Sequence, residues 1–248
     1  MHPRECGALL KFAILLQVLA LEDGYLAPSA CTWDILVQGG KVSTGLLFLQ
    51  KIQDMFNKYI PTPMESFDDF TKSTIEGILR NSFPENEGFT QTLVGPIMAQ
   101  VVDLLNKKSD VQYKFSIFPI VKDEADRRHN KRSDYSIYRI YNKRTYVVVE
   151  CKLSVSAQLS VALLDYVSQL LLESFYVYQR EGCQYRHVMC ILTDCYVWHV
   201  LVMDFGGSLW EPVNYLTVAS LPYTVDVRRI TEIIIDYVPD HLTVNNTA

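Results

Sequence analysis

The sequence predicts a mixed α/β fold in which a β-sheet is flanked by helices. From residue 85 onward the order of patterned segments is helix, three strands, helix, two strands, and then a further strand and helix. Hydrophobic residues make up 49% of the 248 residues and aromatic residues 12%, which excludes a disordered chain and provides for a large core. We therefore predict an α/β domain over 85–248, preceded by a helical extension over 1–84.

The extension contains an apolar segment over 8–21 that is too short to span a bilayer. Its positive start and the small residues within 27–30 imitate a secretory signal peptide. A lysine inside the apolar segment and Glu22 directly after it favour a buried or partner-facing helix instead. We therefore expect a nuclear or cytoplasmic protein without a stable membrane span, with secretion as the alternative.

Hydrophobic periodicity assigns the individual elements. Apolar residues recur every four positions from Phe89 to Leu105, which predicts an amphipathic helix over 85–108. Segments rich in Val, Ile, Phe and Tyr predict strands. The predicted strands are 113–121, 135–141, 145–151, 187–193, 196–204 and 213–218, and the other predicted helices are 46–56, 73–79, 158–178 and 225–238.

Charged residues end the strand that is otherwise most apolar. Val147 to Val149 lack polar alternation, as expected for a strand buried on both faces, yet Glu150 and Lys152 follow on one face. Charge is tolerated there only when it is paired, bound to a metal or at the rim. If the preceding hairpin is symmetric about Asn142, Asp134 lies opposite Glu150, whereas a slip by one residue would put the two carboxylates on opposite faces.

Two carboxylates a cross-strand distance apart repel one another unless a divalent cation lies between them. Mg²⁺ or Mn²⁺ bound by Asp134 and Glu150 would keep coordination sites for a phosphate oxygen and a water molecule. Lys152 would then stabilise the charge that develops on the phosphorus centre. The pattern therefore indicates phosphodiester hydrolysis. The same spacing also arises by chance in charged hairpins, so a surface ion pair in a secreted protein is an alternative.

The pattern of Asp134, Glu150 and Lys152, together with the predicted helices and strands around it, resembles the PD-(D/E)XK nuclease superfamily, whose fold is restriction-endonuclease-like. The matching residues are Ser133-Asp134 on one strand and Val147 to Lys152 on the next, and the likeness extends over 85–205. It is greatest for the divergent eukaryotic branch associated with Crinkler-type effectors and mobile-element proteins. Ser133 stands where the family motif has proline. The resemblance implies a core in α-β-β-β-α-β order, Asp134 and Glu150 as metal ligands, and Lys152 as the catalytic lysine.

The resemblance also implies an acidic residue on the first helix and a polar group on the helix after the lysine. Glu87 fits the first position, with Glu76 or Glu85 as alternatives. Gln169, together with Gln158, fits the second, near the metal or the phosphate. Many relatives keep this fold after losing activity. A catalytically inactive binding or effector module is therefore the alternative to a nuclease.

A local basic cluster offers a contact for nucleic acid on a chain whose net charge is −5. Backbone phosphates are held by arginine and lysine side chains, and we expect DNA rather than RNA as the partner. The alternatives are a solvated loop and a nuclear-import signal. The residues predicted to contact nucleic acid are Arg127, Arg128, Lys131, Arg132, Lys143 and Arg144.

Overall fold

The structure is a computed structural model that describes residues 3–56, 69–82, 86–108, 112–117, 133–141, 144–180, 186–219, 230, 231 and 234. A six-stranded sheet forms its centre, with the strands ordered as they occur along the chain. The strands are β1 (Tyr113–Ile117), β2 (Tyr135–Arg139), β3 (Thr145–Cys151), β4 (His187–Thr193), β5 (Val197–Asp204) and β6 (Glu211–Ala219). Neighbours are antiparallel except β3 and β4, which are parallel.

Six helices accompany the sheet in the described ranges. They are α1 (Pro3–Glu22), α2 (Trp33–Gln38), α3 (Gly45–Phe56), α4 (Asp69–Asn81), α5 (Glu87–Lys108) and α6 (Leu164–Arg180), with short 3-10 turns at Pro28–Ala30 and Val161–Leu163. Helix α6 is the crossover that parallel neighbours require, because it leads from β3 to β4. The predicted mixed sheet with flanking helices is confirmed. Within the described residues, no helix is both long enough and apolar enough to cross a membrane.

The sheet separates two hydrophobic clusters, one on each face. Side chains of β3 alternate between them: Val147 and Val149 pack in the cluster of α5, whereas Val148 packs in the cluster of α6. All seven residues of β3 are buried, as the absence of polar alternation in its sequence predicts. Helices on both faces therefore exclude water from the strand that carries Glu150.

The N-terminal segment belongs to the same core as α6. Trp33 and Phe48 are buried in the cluster that contains the apolar face of α6. Trp33 N donates to Asp165 Oδ1 at 2.9 Å, and Tyr176 Oη donates to Leu26 O at 2.6 Å. Both ends of α6 are therefore held by residues that precede the α/β elements in sequence.

Several predicted boundaries differ from the observed ones. The helix predicted from residue 158 begins at Leu164, because Ser156 and Gln158 are used in a turn of their own before the 3-10 segment. Strand β2 ends at Arg139, since the chain turns there toward β3. Residues 118–121 of the first predicted strand lie outside the described residues, as does most of the closing helix, of which 230, 231 and 234 are described as helical.

Candidate active site

The hairpin of β2 and β3 brings Asp134 next to Glu150. Tyr135 pairs with Val149, which is the register that symmetry about Asn142 predicts. Next to the turn the pairing is shifted by one residue, because Tyr138 pairs with Thr145 after an irregularity between Ile137 and Tyr138. Asp134 directly precedes Tyr135, so the register continues from this pair toward Glu150. A slipped register would have separated the two carboxylates. Instead, the charge of Asp134 acts on the carboxyl group of Glu150.

The carboxylate of Asp134 is fixed by donors from two other elements. Its Oδ2 accepts a hydrogen bond from the backbone N–H of Cys151 at 2.7 Å, and its Oδ1 accepts one from Gln91 Nε2 at 2.6 Å. The side chain of Tyr135 adds a further link to α5, because its hydroxyl donates to the backbone oxygen of Gln91. Asp134 is therefore anchored to both β3 and α5 and is only 9% exposed.

Lys152 lies at the centre of an acidic cluster, which consists of Glu87, Asp134, Glu150 and Glu173. Its Nζ is 2.7 Å from Glu150 Oε1 and 3.3 Å from Glu87 Oε1. Its backbone continues the sheet, because Lys152 N donates to Thr193 O at 2.8 Å, and its carbonyl accepts from Thr90 Oγ1 at 3.1 Å. An ammonium group held in this way, with its side chain only 6% exposed, has few other conformations available.

Gln169 connects Lys152 and Glu150 from α6, which covers the face of the sheet to which Val148 also points. Its Oε1 accepts from Lys152 Nζ at 3.0 Å, and its Nε2 donates to Glu150 Oε1 at 2.5 Å. The same Nε2 lies 3.4 Å from Glu173 Oε1, one helical turn further along α6. The predicted placement of Gln169 at the cluster therefore agrees with the geometry.

The N-terminus of α5 forms the open side of the cluster. Glu87 is the first residue of this helix, where a carboxylate interacts favourably with the helix dipole. Gln91 follows one turn later on the same face and contacts Asp134. The side chain of Glu87 is 50% exposed, whereas those of Glu150 and Lys152 are nearly fully buried. A substrate would reach the buried groups past Glu87.

Burial and mutual repulsion raise the proton affinity of the carboxyl groups. Burial, followed by the charge of Asp134, raises the pKa of Glu150 to about 7. Burial also raises the pKa of Asp134, and that of Glu173 is raised well above its usual range by burial and by the charge of Glu150. Burial alone would lower the pKa of Lys152, but the charges of Glu150 and Glu87 outweigh it and raise that pKa. The cluster carries more acid than one lysine neutralises.

The segment that follows Lys152 is fixed by the β4–β5 hairpin. Asp194 accepts through Oδ2 from Val155 N at 2.7 Å and through Oδ1 from Val197 N, also at 2.7 Å. His199 Nε2 lies 2.8 Å from the carbonyl oxygen of Ser156, which can only accept, so Nε2 carries the proton. These bonds hold the chain that leads from Lys152 to α6.

Sequence reasoning did not identify two residues of the cluster. Glu173 is 4% exposed and follows three leucines on α6, and Gln91 follows Glu87 by one turn on α5. Glu173 lies four positions after Gln169, and Gln91 lies four positions after Glu87, and the sequence predicted a role in the site for both Gln169 and Glu87. Helical spacing places such residues on one face, so this spacing could have revealed them.

Three other predicted residues are not brought to the cluster within the described ranges. Gln158 is exposed in the turn before α6, so the expectation that it shares a helix face with Gln169 is wrong. Glu76 lies in α4 and pairs with Arg80 at 3.9 Å. Glu85 lies outside the described residues.

Most of the predicted nucleic-acid contacts fall outside the described residues, namely Arg127, Arg128, Lys131, Arg132 and Lys143. Arg144 is described, and it is 3% exposed with its guanidinium 4.3 Å from the ring centre of Tyr146. It lies six residues before Glu150 on one extended strand, which is roughly 20 Å along the sheet. Arg144 therefore packs at the opposite end of β3 from the acidic cluster.

The cluster has the oxygen donors and the excess negative charge that suit a hard divalent cation. Asp134 and Glu150 supply carboxylates from the two arms of the hairpin. Each oxygen of Asp134 accepts one hydrogen bond and keeps a second lone pair. Glu150 Oε1 accepts from both Lys152 Nζ and Gln169 Nε2, so a cation would have to be bound through the other oxygen of Glu150. The raised pKa of Glu150 is the electrostatic effect that a bound cation would reverse. In the described ranges, however, no three His, Cys, Asp or Glu side chains are already arranged as a metal site.

Comparison of the chain with protein-family models, with curated proteins and with solved structures found no match.

Proposed function

We propose that the protein is a metal-dependent nuclease of the PD-(D/E)XK type that hydrolyses phosphodiester bonds, with DNA as the favoured substrate. The observation that supports this most strongly is the meeting of Asp134, Glu150 and Lys152 at one end of the β2–β3 hairpin. Glu87 and Gln169 join them from helices on the two faces of the sheet. The resemblance implies a core in α-β-β-β-α-β order, and the succession α5, β1, β2, β3, α6, β4 along the chain supports the proposal.

In this proposal Asp134 and Glu150 hold Mg²⁺ or Mn²⁺. When bound, such an ion neutralises the phosphate charge and lowers the pKa of a coordinated water molecule. Asp134 is well suited to the role of ligand because its two hydrogen bonds fix its orientation. Glu150 is suited to it because the environment leaves its negative charge only partly compensated.

The role of Lys152 follows from its charge and its anchoring. Its raised pKa keeps the ammonium group protonated at neutral pH. A fixed positive charge in a buried site stabilises the extra negative charge of a pentavalent phosphorus transition state. Glu150 and Gln169 hold the ammonium group at 2.7 and 3.0 Å, so it needs little reorganisation during the reaction.

The access side of the cluster fits a polymeric substrate. Glu87 is half exposed, and Tyr166 is 39% exposed with its ring centre 5.4 Å from Lys152 Nζ. An exposed aromatic ring beside a catalytic lysine gives a nucleobase or sugar a surface on which to pack. The basic cluster from Arg127 to Arg132 would add phosphate contacts.

One observation favours a second function, a nuclease-like module that binds nucleic acid without cleaving it. Lys152 is already ion-paired with Glu150, and no preformed group of three metal-binding side chains is found among the described residues. In such a module the ion pair would take the place of the cation. Binding without metal-dependent cleavage distinguishes this alternative from the nuclease.

The decisive experiment is metal-dependent cleavage of supercoiled plasmid and of labelled DNA and RNA oligonucleotides. Wild type is compared with Glu150→Ala and Lys152→Ala, and Glu211→Gln serves as the control because it removes an exposed ion pair with Lys51. We expect cleavage in Mg²⁺ or Mn²⁺ by wild type and the control, and a loss of at least 100-fold in the two cluster variants. Equal rates in all four proteins would rule out the catalytic assignment.

A further inference from the structure

Glu173 is the acidic residue of the cluster to which the proposed reaction assigns no role. It is 4% exposed, and it lies on α6 among Leu170, Leu171 and Leu172, which are completely buried. Its Oε2 is buried and accepts no hydrogen bond from the described residues, and its carboxyl group lies within hydrogen-bond reach of the Glu150 carboxyl group. A carboxyl group in such a place costs folding free energy, and a leucine would pack there without that cost.

The other oxygen of Glu173, Oε1, contacts the side-chain amide of Gln169. Gln169 Nε2 has two N–H bonds, one directed at Glu150 Oε1 at 2.5 Å and the other toward Glu173 Oε1 at 3.4 Å. Gln169 Oε1 accepts from Lys152 Nζ at 3.0 Å. Both N–H groups of the amide are thus directed at carboxylate oxygens, and its oxygen accepts from the ammonium group of Lys152.

The orientation of this amide matters because its two ends are chemically different. If the amide turned over, its NH₂ group would face the ammonium group of Lys152, and its oxygen would face the carboxylates. Glu150 already favours the observed orientation through one hydrogen of Nε2. Glu173 takes the second hydrogen and so opposes any rotation about the last side-chain bond of Gln169.

We propose that Glu173 is a positioning residue that holds the Gln169 amide, and through it the spacing between the Glu150 carboxylate and the Lys152 ammonium group. This inference rests on the proposed function, since that spacing matters only if Glu150 binds a cation and Lys152 acts on a phosphate. Glu173 itself would touch neither metal nor substrate. Its contribution lies in the acceptor oxygen that it presents to Gln169.

The role of an acceptor oxygen is tested by two substitutions of similar size. Glu173→Gln keeps a carbonyl oxygen, whereas Glu173→Leu removes every acceptor and fills the space. Ser174→Ala is the matched control on the same helix, because Ser174 is also fully buried but bonds to Leu170 O and Cys190 instead of the cluster. Thermal unfolding is measured for all proteins to separate positioning from folding.

The first readout needs no metal. In ¹⁵N-correlated spectra of the metal-free protein, the side-chain NH₂ signals of Gln169 are assigned from their loss in Gln169→Ala. We expect these signals to keep their wild-type positions in Glu173→Gln and Ser174→Ala and to move toward free-glutamine values in Glu173→Leu. Unchanged Gln169 signals in Glu173→Leu would overturn the inference, whatever the protein's activity.

The second readout is Mn²⁺ affinity by calorimetry. We expect Glu173→Leu to bind Mn²⁺ about 10- to 100-fold more weakly than wild type, the loss typical of removing a group that orients a metal ligand. Glu173→Gln should stay within about 3-fold of wild type, and the thermal stability of Glu173→Leu should be unchanged or raised. Wild-type Mn²⁺ affinity in Glu173→Leu would overturn the inference alone. Absence of Mn²⁺ binding by wild type would overturn the proposed function and this inference together.

Discussion

Lys152 Nζ lies 2.7 Å from Glu150 Oε1, and both side chains come from the same end of β3 and are nearly excluded from solvent. The two residues are separated by one position, so they point to the same face as alternate residues of an extended chain do. A buried ion pair is weak evidence for a gain in stability, because desolvation offsets much of the attraction. Its position at the end of an apolar strand is better explained by a function.

The ion pair predicts unequal losses of stability when one or the other of its two partners is replaced. Lys152→Met removes the ammonium group that pairs with Glu150 and Glu87, so we expect a loss of about 3 kcal/mol in unfolding free energy near pH 8. Glu150→Gln removes one of the repelling acids, so the loss should be about 1 kcal/mol or less. Urea unfolding of both variants measures the difference. A smaller loss for Lys152→Met than for Glu150→Gln would contradict the electrostatic description of the cluster.

The raised pKa of Glu150 predicts how stability depends on pH in the absence of metal. Its carboxyl group binds a proton more strongly in the folded state than in the unfolded chain, where the pKa is near 4.5. The associated stability is complete below about pH 4.5 and is lost as the pH rises through about 7. Asp134 and Glu173 shift in the same direction, whereas Lys152 stays charged over this range.

We therefore expect the stability of the metal-free protein to fall between pH 5 and pH 8, with a contribution from Glu150 on the order of 2 kcal/mol. Glu150→Gln should show a shallower slope over the same range, which serves as the control for other titrating groups. Urea unfolding in the presence of a chelator at several pH values checks this. A stability that rises with pH in wild type, or an equal slope in Glu150→Gln, would show that Glu150 titrates normally.

Alanine substitutions at two glycines should change stability in opposite directions, because Gly45 lies against α6 whereas Gly77 has open space around it. A Cβ added at Gly45 would lie 2.4 Å from Leu164 Cδ1 at the start of α6, so Gly45→Ala should destabilise the protein by about 1–3 kcal/mol. Gly77 lies inside α4 with no atom within 4 Å of the added Cβ. Gly77→Ala should therefore stabilise it by about 0.5–1 kcal/mol. Equal effects of the two substitutions would contradict the close approach of Gly45 to α6.

The hydrogen bonds of Asp194 connect the β4–β5 turn with the segment that follows Lys152, so we expect a substitution of Asp194 to affect the site. Its carboxylate accepts hydrogen bonds from the backbone N–H groups of Val155, Tyr196 and Val197. Asp194→Ala should cost about 2–4 kcal/mol, because three buried donors lose their acceptor. The substitution should also reduce cleavage beyond its effect on folding, since Val155 lies three residues after Lys152. Asp204→Ala, which changes the other end of the hairpin, is the control, and equal cleavage by the two variants would contradict this link.

The sheet could be predicted from sequence because its signals are local. The β-branched run from Val147 to Val149 predicted the strand, and the register that pairs Tyr135 with Val149 is the predicted one. The irregularity between Ile137 and Tyr138, which shifts the pairing by one residue next to the turn, was not predicted. The start of α6 could not be predicted, because Gln158 has an acceptable helical pattern and is excluded by turn contacts of Ser156. Local sequence does not reveal that competition.

Part of the site could be predicted as well, because some of its residues are close in sequence. Asp134, Glu150 and Lys152 lie on one hairpin, so their proximity follows from strand pairing. Glu173 and Gln91 come from helices whose placement depends on packing across the sheet, and the sequence alone gives no distance between α5 and α6. Helical spacing relates each of them to a neighbour on its own helix, but not to the carboxylates on the strands.

Metal binding by Asp134 and Glu150 is tested most directly by a calorimetric Mn²⁺ titration of wild type, Asp134→Asn and Glu150→Gln, with Glu211→Gln as the control. We expect binding in wild type and the control, and a loss of affinity of at least tenfold in each cluster variant, because in the proposed site the carboxylates of Asp134 and Glu150 share one ion. Wild-type affinity in both Asp134→Asn and Glu150→Gln, or no Mn²⁺ binding by the wild-type protein, would contradict the proposed site.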